Sequence, residues 1–150
     1  MKFFDLKKQH KQIASEINSA IKRVFDNGVF IGGEEVIKFE KEVANFCNIK
    51  FALAVNSGTY AIFLSLKALG VQEGDEVITA PFTFIATAEA ISNCGAKPVF
   101  VDIDPVNFNI DVEQIENKIT KKTKVILPVH IFGQMADMDK IMKLAHKYKL

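Results

Sequence analysis

The amino-acid sequence predicts an α/β fold, a mostly parallel sheet with helices on both faces, preceded by two helices. Three observations carry this reading. From Phe51 onward, short apolar stretches rich in β-branched residues alternate with stretches of helical periodicity. Gly70, Gly74 and Gly95 punctuate the joints between them. The residues before Phe51 show two helical patterns that stand outside the alternation. The expected organisation is therefore an amino-terminal helical segment over residues 1–50 and an α/β domain over residues 51–150.

The first helix is expected from about Asp5 to Asn27, where Ile13, Ile17, Ala20, Ile21, Val24 and Phe25 recur at helical spacing. Asn27-Gly28 ends it, with Gly28 as the left-handed carboxyl-terminal residue. Phe30-Ile31-Gly32-Gly33 is a partly apolar loop. The second helix, Glu34 to Phe46, places Val36, Phe39, Val43 and Phe46 along one face, with Glu34 and Glu35 at the end the helix dipole favours for anions. The expected strands are Phe51–Val55, Glu76–Ala80, Pro98–Asp102 and Val125–Val129. The helices between and after them are Gly58–Leu69, Phe84–Cys94, Asp111–Ile119 and Asp137–Tyr148. Asp111 with Gln114 reads as an N-cap with a reaching partner, and Asp137 as a second cap. A parallel sheet of four strands ending at Leu150 would leave a buried edge uncovered, so the chain reads as the front part of a larger fold.

Composition bounds the function. A chain of 150 residues with 49% hydrophobic and 25% charged residues is a globular domain with a real core. The net charge of +1 and the scatter of the lysines argue against nucleic acid or an anionic membrane as partner. The densest basic run, Lys121-Lys122-Thr123-Lys124, is accounted for by a solvated loop before a strand. Cys47 and Cys94 form no metal-ligand spacing, so both read as small apolar fillers in a reducing cytoplasm. The start, Met1-Lys2-Phe3-Phe4-Asp5, has no sustained apolar region of a signal peptide, and no apolar run reaches the length of a membrane span.

The chemistry is expected outside the carboxyl ends of the strands. Phe51–Val55 runs into Asn56-Ser57-Gly58-Thr59 and then an almost wholly apolar helix. Such a turn aims the first helical N–H groups and the positive dipole end outward, a natural seat for a phosphate or carboxylate. Ser57 or Thr59 adds a hydroxyl, and Gly58 admits close approach of the anion. A helix capped by Asn56 or Ser57 is the plainer account of the same residues. The other strand ends offer Pro81-Phe82-Thr83-Phe84, Asp102-Ile103-Asp104-Pro105 and His130-Ile131-Phe132-Gly133-Gln134. Together they suit a phosphorylated planar cofactor.

Other readings compete. No GxGxxG follows the first strand, so the dinucleotide fingerprint is missing. Asp102-Ile103-Asp104-Pro105-Val106 matches a phosphatase-like aspartyl pattern, but a turn begun by Asp104-Pro105 explains it better. A binding role without chemistry is the third. His10 and His146 read as solvent-exposed, and His130 as closing a loop hydrogen bond. Phe82 reads as a core aromatic.

A family resemblance joins these pieces. Its motifs are Asp5-Leu6-Lys7-x-Gln9, Phe30-Ile31-x-Gly33 with Phe39-Glu40, Asn56-Ser57-Gly58-Thr59, Gly74-Asp75-Glu76-Val77-Ile78-Thr79 and Phe82-Thr83-Phe84-x-Ala86-Thr87. Gly95-Ala96-x-Pro98-Val99-Phe100-Val101-Asp102-Ile103-Asp104 and Pro128-Val129-His130-x-x-Gly133-Gln134 continue the series. In this order they resemble the DegT-type (DegT/DnrJ/StrS) nucleotide-sugar aminotransferases, fold-type I enzymes that use pyridoxal 5'-phosphate (PLP). The resemblance implies that Gly58 and Thr59, with Ser57 adjacent, hold the cofactor phosphate and that Phe84 stacks on its ring. It places Gln134 near the site and the Phe30–Gly33 loop near the sugar and a homodimer interface. It implies amino transfer, typically from glutamate, to a keto carbon of a nucleotide-linked sugar. The Schiff-base Lys and the acid beneath the pyridine nitrogen are expected beyond Leu150, since no lysine here, Lys67 included, stands in a matching motif. The chain alone is then expected to be inactive, the alternative being a truncated, non-catalytic binding or dimerisation partner.

Overall fold

The computed structural model describes residues 3–150, so Met1 and Lys2 of the expected leader-free start lie outside the described residues. The chain forms two compact units, Met1–Ala54 and Val55–Leu150.

The first unit holds helices α1 (Lys7–Asn27) and α2 (Glu34–Phe46). Helix α1 ends at Gly28 in the left-handed conformation (φ 66°), whose N–H reaches back to the carbonyls of Val24 and Phe25. Helix α2 has no side-chain cap and instead carries Glu34 and Glu35 in its first turn. Arg23 Nε donates to Glu35 Oε1 at 2.9 Å, which joins the two helices. That hydrogen bond holds the Glu35 carboxyl below its usual range and the guanidinium above its own. Cys47, expected as an apolar filler, is instead exposed, at the residue that follows the last turn of α2.

The second unit is the α/β part. Its order is α3 (Gly58–Ala68), β1 (Glu76–Thr79), α4 (Ala86–Asn93), β2 (Lys97–Phe100), α5 (Val112–Ile115) with a 3-10 turn, Glu116–Lys118, then β3 (Thr123–Leu127), a 3-10 turn at Ile131–Gly133, and α6 (Met138–Tyr148). The sheet is parallel throughout, with β1 central in the order β2-β1-β3. Successive residues of β1 face opposite sides, which produces two cores. Val77 packs with Leu66, Val71, Ile91, Cys94 and Ala96 under α3 and α4. Ile78 packs with Val101, Ile110, Ile115 and Ile141 on the side of α5 and α6. Helices on both faces of a parallel sheet are what the alternation predicts.

One expected strand is absent among the described residues. Phe51–Val55 pairs with no strand, and the sheet has three strands, not four. An apolar run becomes a strand only when a neighbouring segment pairs with its N–H and C=O groups. Here Ala54 N–H finds the Glu40 carboxylate at 2.8 Å instead, and Phe51 and Leu53 stand 76% and 79% exposed. The expected helix at Asp111–Ile119 is one α-turn continued as 3-10. Gln114 donates to the Asp111 carboxylate rather than accepting from its backbone, because Asp111 N–H is already spent on Asp102 O. Asp137 caps α6 through Lys140 N–H, as its position predicts. Gly95 (φ 80°) is the sharpest glycine requirement, since a Cβ there would lie 3.1 Å from the Glu73 backbone.

Candidate active site

Helix α3 runs back to the start of β1 through residues 69–75, and α4 leaves the end of β1, so both amino termini lie at the carboxyl edge of the sheet. The two helices pack side by side on the same face. This puts Ser57, Gly58 and Thr59 at one helix start and Phe84 just before the other.

At the first start, Ser57 is the N-cap, and its hydroxyl accepts from Tyr60 N–H at 3.2 Å. Ala61 N–H pairs with Ser57 O. The N–H groups of Gly58 and Thr59 belong to the first turn, have no intrahelical acceptor and face outward with the dipole behind them. A Cβ at Gly58 would meet nothing within 4 Å, so an anion can come up to the backbone there. Ser57 thus serves the cap, and the N–H groups of Gly58 and Thr59 are left without an acceptor inside the helix.

At the second start, the backbone of Phe84 is fixed while its ring is free. Thr87 N–H donates to Phe84 O at 3.0 Å, and the buried Thr87 hydroxyl meets that of Thr83 at 2.9 Å. Phe84 is 77% exposed and stands at the carboxyl edge of the sheet. Phe82, expected in the core, is instead 43% exposed and meets Phe108 and Phe132. It leaves the core because it follows the strand end by three residues, on the loop and not on the ladder. Buried Thr79 ties the β1 and β3 ends through its hydroxyl on Leu127 O at 2.8 Å.

His130 closes a loop hydrogen bond as expected, its Nδ1 accepting from Ala136 N–H at 3.1 Å. His10, His146 and Gln134 are exposed. Asp104 is occupied by a turn, since its Oδ1 accepts from Val106 and Asn107 N–H, and Asp102 Oδ1 accepts from Ile103 N–H. No cluster of three metal-ligating side chains occurs among the described residues, and no helix there is long and apolar enough to cross a membrane. In the first unit, Phe30 meets Phe25 edge-on at 5.6 Å, and Phe30 and Gly33 line a cavity of about 290 Å³ together with Asn27, Glu34 and Glu35.

Sequence reasoning missed two residues here. Asn109 is buried and hydrogen-bonded to the 131–135 turn, and Thr87 locks the Phe84 turn. Asn107-Phe108-Asn109 reads as ordinary loop composition, and nothing in a single sequence marks one of its asparagines as buried.

The DegT/DnrJ/EryC1/StrS aminotransferase family model matches residues 11–150. The chain belongs to this family. It is 48% identical over 97% of its length to a pleiotropic regulatory protein of Geobacillus stearothermophilus, covering 39% of that protein. It is 45% identical over 99% of its length to UDP-2-acetamido-2-deoxy-3-oxo-D-glucuronate aminotransferase of Pseudomonas aeruginosa, covering 41% of it. The crystal structure of NtdA from Bacillus subtilis with its cofactor PMP bound superposes with a TM-score of 0.90 at 40% identity, over 93% of this chain and 32% of that one. The chain thus spans about two fifths of the length of the curated relatives it matches.

Proposed function

We propose that this chain supplies the phosphate-gripping and ring-facing part of a PLP-dependent aminotransferase acting on a nucleotide-linked keto-sugar, in amino-sugar biosynthesis for surface polysaccharide or related glycans. Glutamate is the amino donor in this reading, and the working protein is a cytoplasmic homodimer. The observation that carries it is the anion seat at the start of α3, in a chain of an aminotransferase family.

The residues present fit the cofactor's phosphate end. Two outward N–H groups, an open approach at Gly58 and the Thr59 hydroxyl match a phosphoryl group in charge and in donor number. When bound, PLP supplies an electron sink for the carbon that gains or loses the amino group. Gly58 and Thr59 hold the phosphate and so fix where the ring lies. Phe84 covers one ring face and keeps water from it. The Schiff-base Lys and the acid for the pyridine nitrogen belong, in this proposal, beyond Leu150.

The test uses the protein expressed from its complete reading frame. Thr59→Ala and Phe84→Ala each weaken PLP retention, read as loss of the bound cofactor's visible absorption on dialysis. Both variants holding cofactor like the parent would overturn the placement. A second reading is a truncated, non-catalytic binding or dimerisation partner; the chain covers 39% of a relative named a pleiotropic regulatory protein. Cofactor retention without amino transfer from glutamate to any nucleotide keto-sugar would support it.

A further inference from the structure

Three phenylalanines stand on the three loops that leave the carboxyl edge of the sheet: Phe82 after β1, Phe108 after β2 and Phe132 after β3. Their rings meet, Phe82 with Phe108 at 6.1 Å and Phe82 with Phe132 edge-on at 6.2 Å. This is not core packing, since Phe132 is 83% exposed. Phe108 and Phe132 also hold left-handed backbone, φ 62° and 53°. A non-glycine residue keeps that conformation only where its surroundings enforce it.

Asn109 is what enforces it. Its Oδ1 accepts from Ile131 N–H at 3.1 Å, and its Nδ2 donates to the carbonyls of Gln134 (3.3 Å) and Met135 (3.4 Å). One buried side chain thus grips both ends of the turn that carries Phe132. Its backbone also closes the turn that carries Phe108: Asn109 N–H donates to Asn107 Oδ1 and Asp104 N–H to Asn109 O, next to the bond of Phe108 N–H to Asp104 O. A buried amide fully engaged by backbone groups of a distant loop fixes one arrangement of that loop.

We infer that Asn109 is a positioning residue for the site. By clamping both turns it sets Phe108 and Phe132 against Phe82, and so braces the 81–84 turn that presents Phe84. The inference rests on the proposed function, because it needs Phe84 to face the cofactor.

The test again uses the protein from its complete reading frame, with PLP as the probe. Asn109→Asp keeps the acceptor for Ile131 but loses both donated bonds. Phe132→Gly removes the ring and accepts left-handed backbone without strain. Ile115→Val trims the buried core on the α5 and α6 side and removes neither a hydrogen bond of Asn109 nor a ring of the phenylalanine cluster. The first two variants raise the dissociation constant for PLP by about five- to tenfold. Phe132→Gly does so with an unchanged or higher melting midpoint, whereas Ile115→Val lowers the midpoint and binds like the parent. Parent-like affinity in Phe132→Gly and in any folded Asn109→Asp overturns the inference. So does affinity that merely follows the midpoint across the three variants. If the parent itself binds no PLP, the functional reading fails first and takes the inference with it.

Discussion

The two units use the same kind of apolar pattern to different ends. In Met1–Ala54, α1 and α2 are amphipathic, yet Ala44 is the one buried residue among those described, and Phe25, Phe39 and Phe46 stand exposed. In Val55–Leu150 the strands give each helix an apolar surface to lie on, and two cores form around Val77 and Ile78. Periodicity decides that a helix forms and which face is apolar. Burial requires a second surface, which in Val55–Leu150 the sheet supplies.

The largest effect that tests this contrast is a core truncation. Ile78→Ala, at a fully buried central-strand position, costs about 2–5 kcal/mol in urea unfolding. Phe39→Ala, on the exposed face of α2, changes it by less than about 0.5 kcal/mol. Equal costs would mean that the first unit holds a core of its own. A middle-sized effect comes from Asp137→Ala, which removes the cap of α6 and costs about 1 kcal/mol in the same measurement. In the first unit neither N-cap residue makes a side-chain hydrogen bond, and the start of α1 is held instead by Asp5 Oδ1, which accepts from Lys7 N–H at 2.9 Å.

The smallest effect is electrostatic. The hydrogen bond from Lys147, joined by that from Tyr148, holds the Glu116 carboxyl below its usual range. A depressed carboxylate stabilises the fold above its unfolded pKa and loses that contribution as pH falls through the folded one. Glu116→Gln should therefore flatten the fall in melting midpoint between about pH 5 and about pH 3. The step is small because the groups are exposed and screened. A steeper fall in the variant would reverse the sign argued here.

Most of the architecture was legible in the sequence because its determinants are local. Alternating apolar strands, glycine joints and the caps at Ser57, Asp111 and Asp137 all lie within a few residues of what they control. Phe51–Val55 was misread because strand identity belongs to a pair of segments, and no described segment pairs with it. The capped turn at Ser57 was legible as a strand-like run breaking into a helix. Asn109 was not, since its partners lie 22 to 26 residues away. Phe82 misled because an aromatic beside a strand is core or ligand edge according to loop geometry alone.

The most direct measurement of the central claim is PLP titration of Gly58→Val in the protein from its complete reading frame, with the melting midpoint taken alongside. A side chain at Gly58 enters open space, so the midpoint stays near that of the parent. The same side chain stands where the phosphate must approach, so affinity falls by about tenfold or more. Parent-like affinity with valine in place would mean that the cofactor phosphate is held somewhere else.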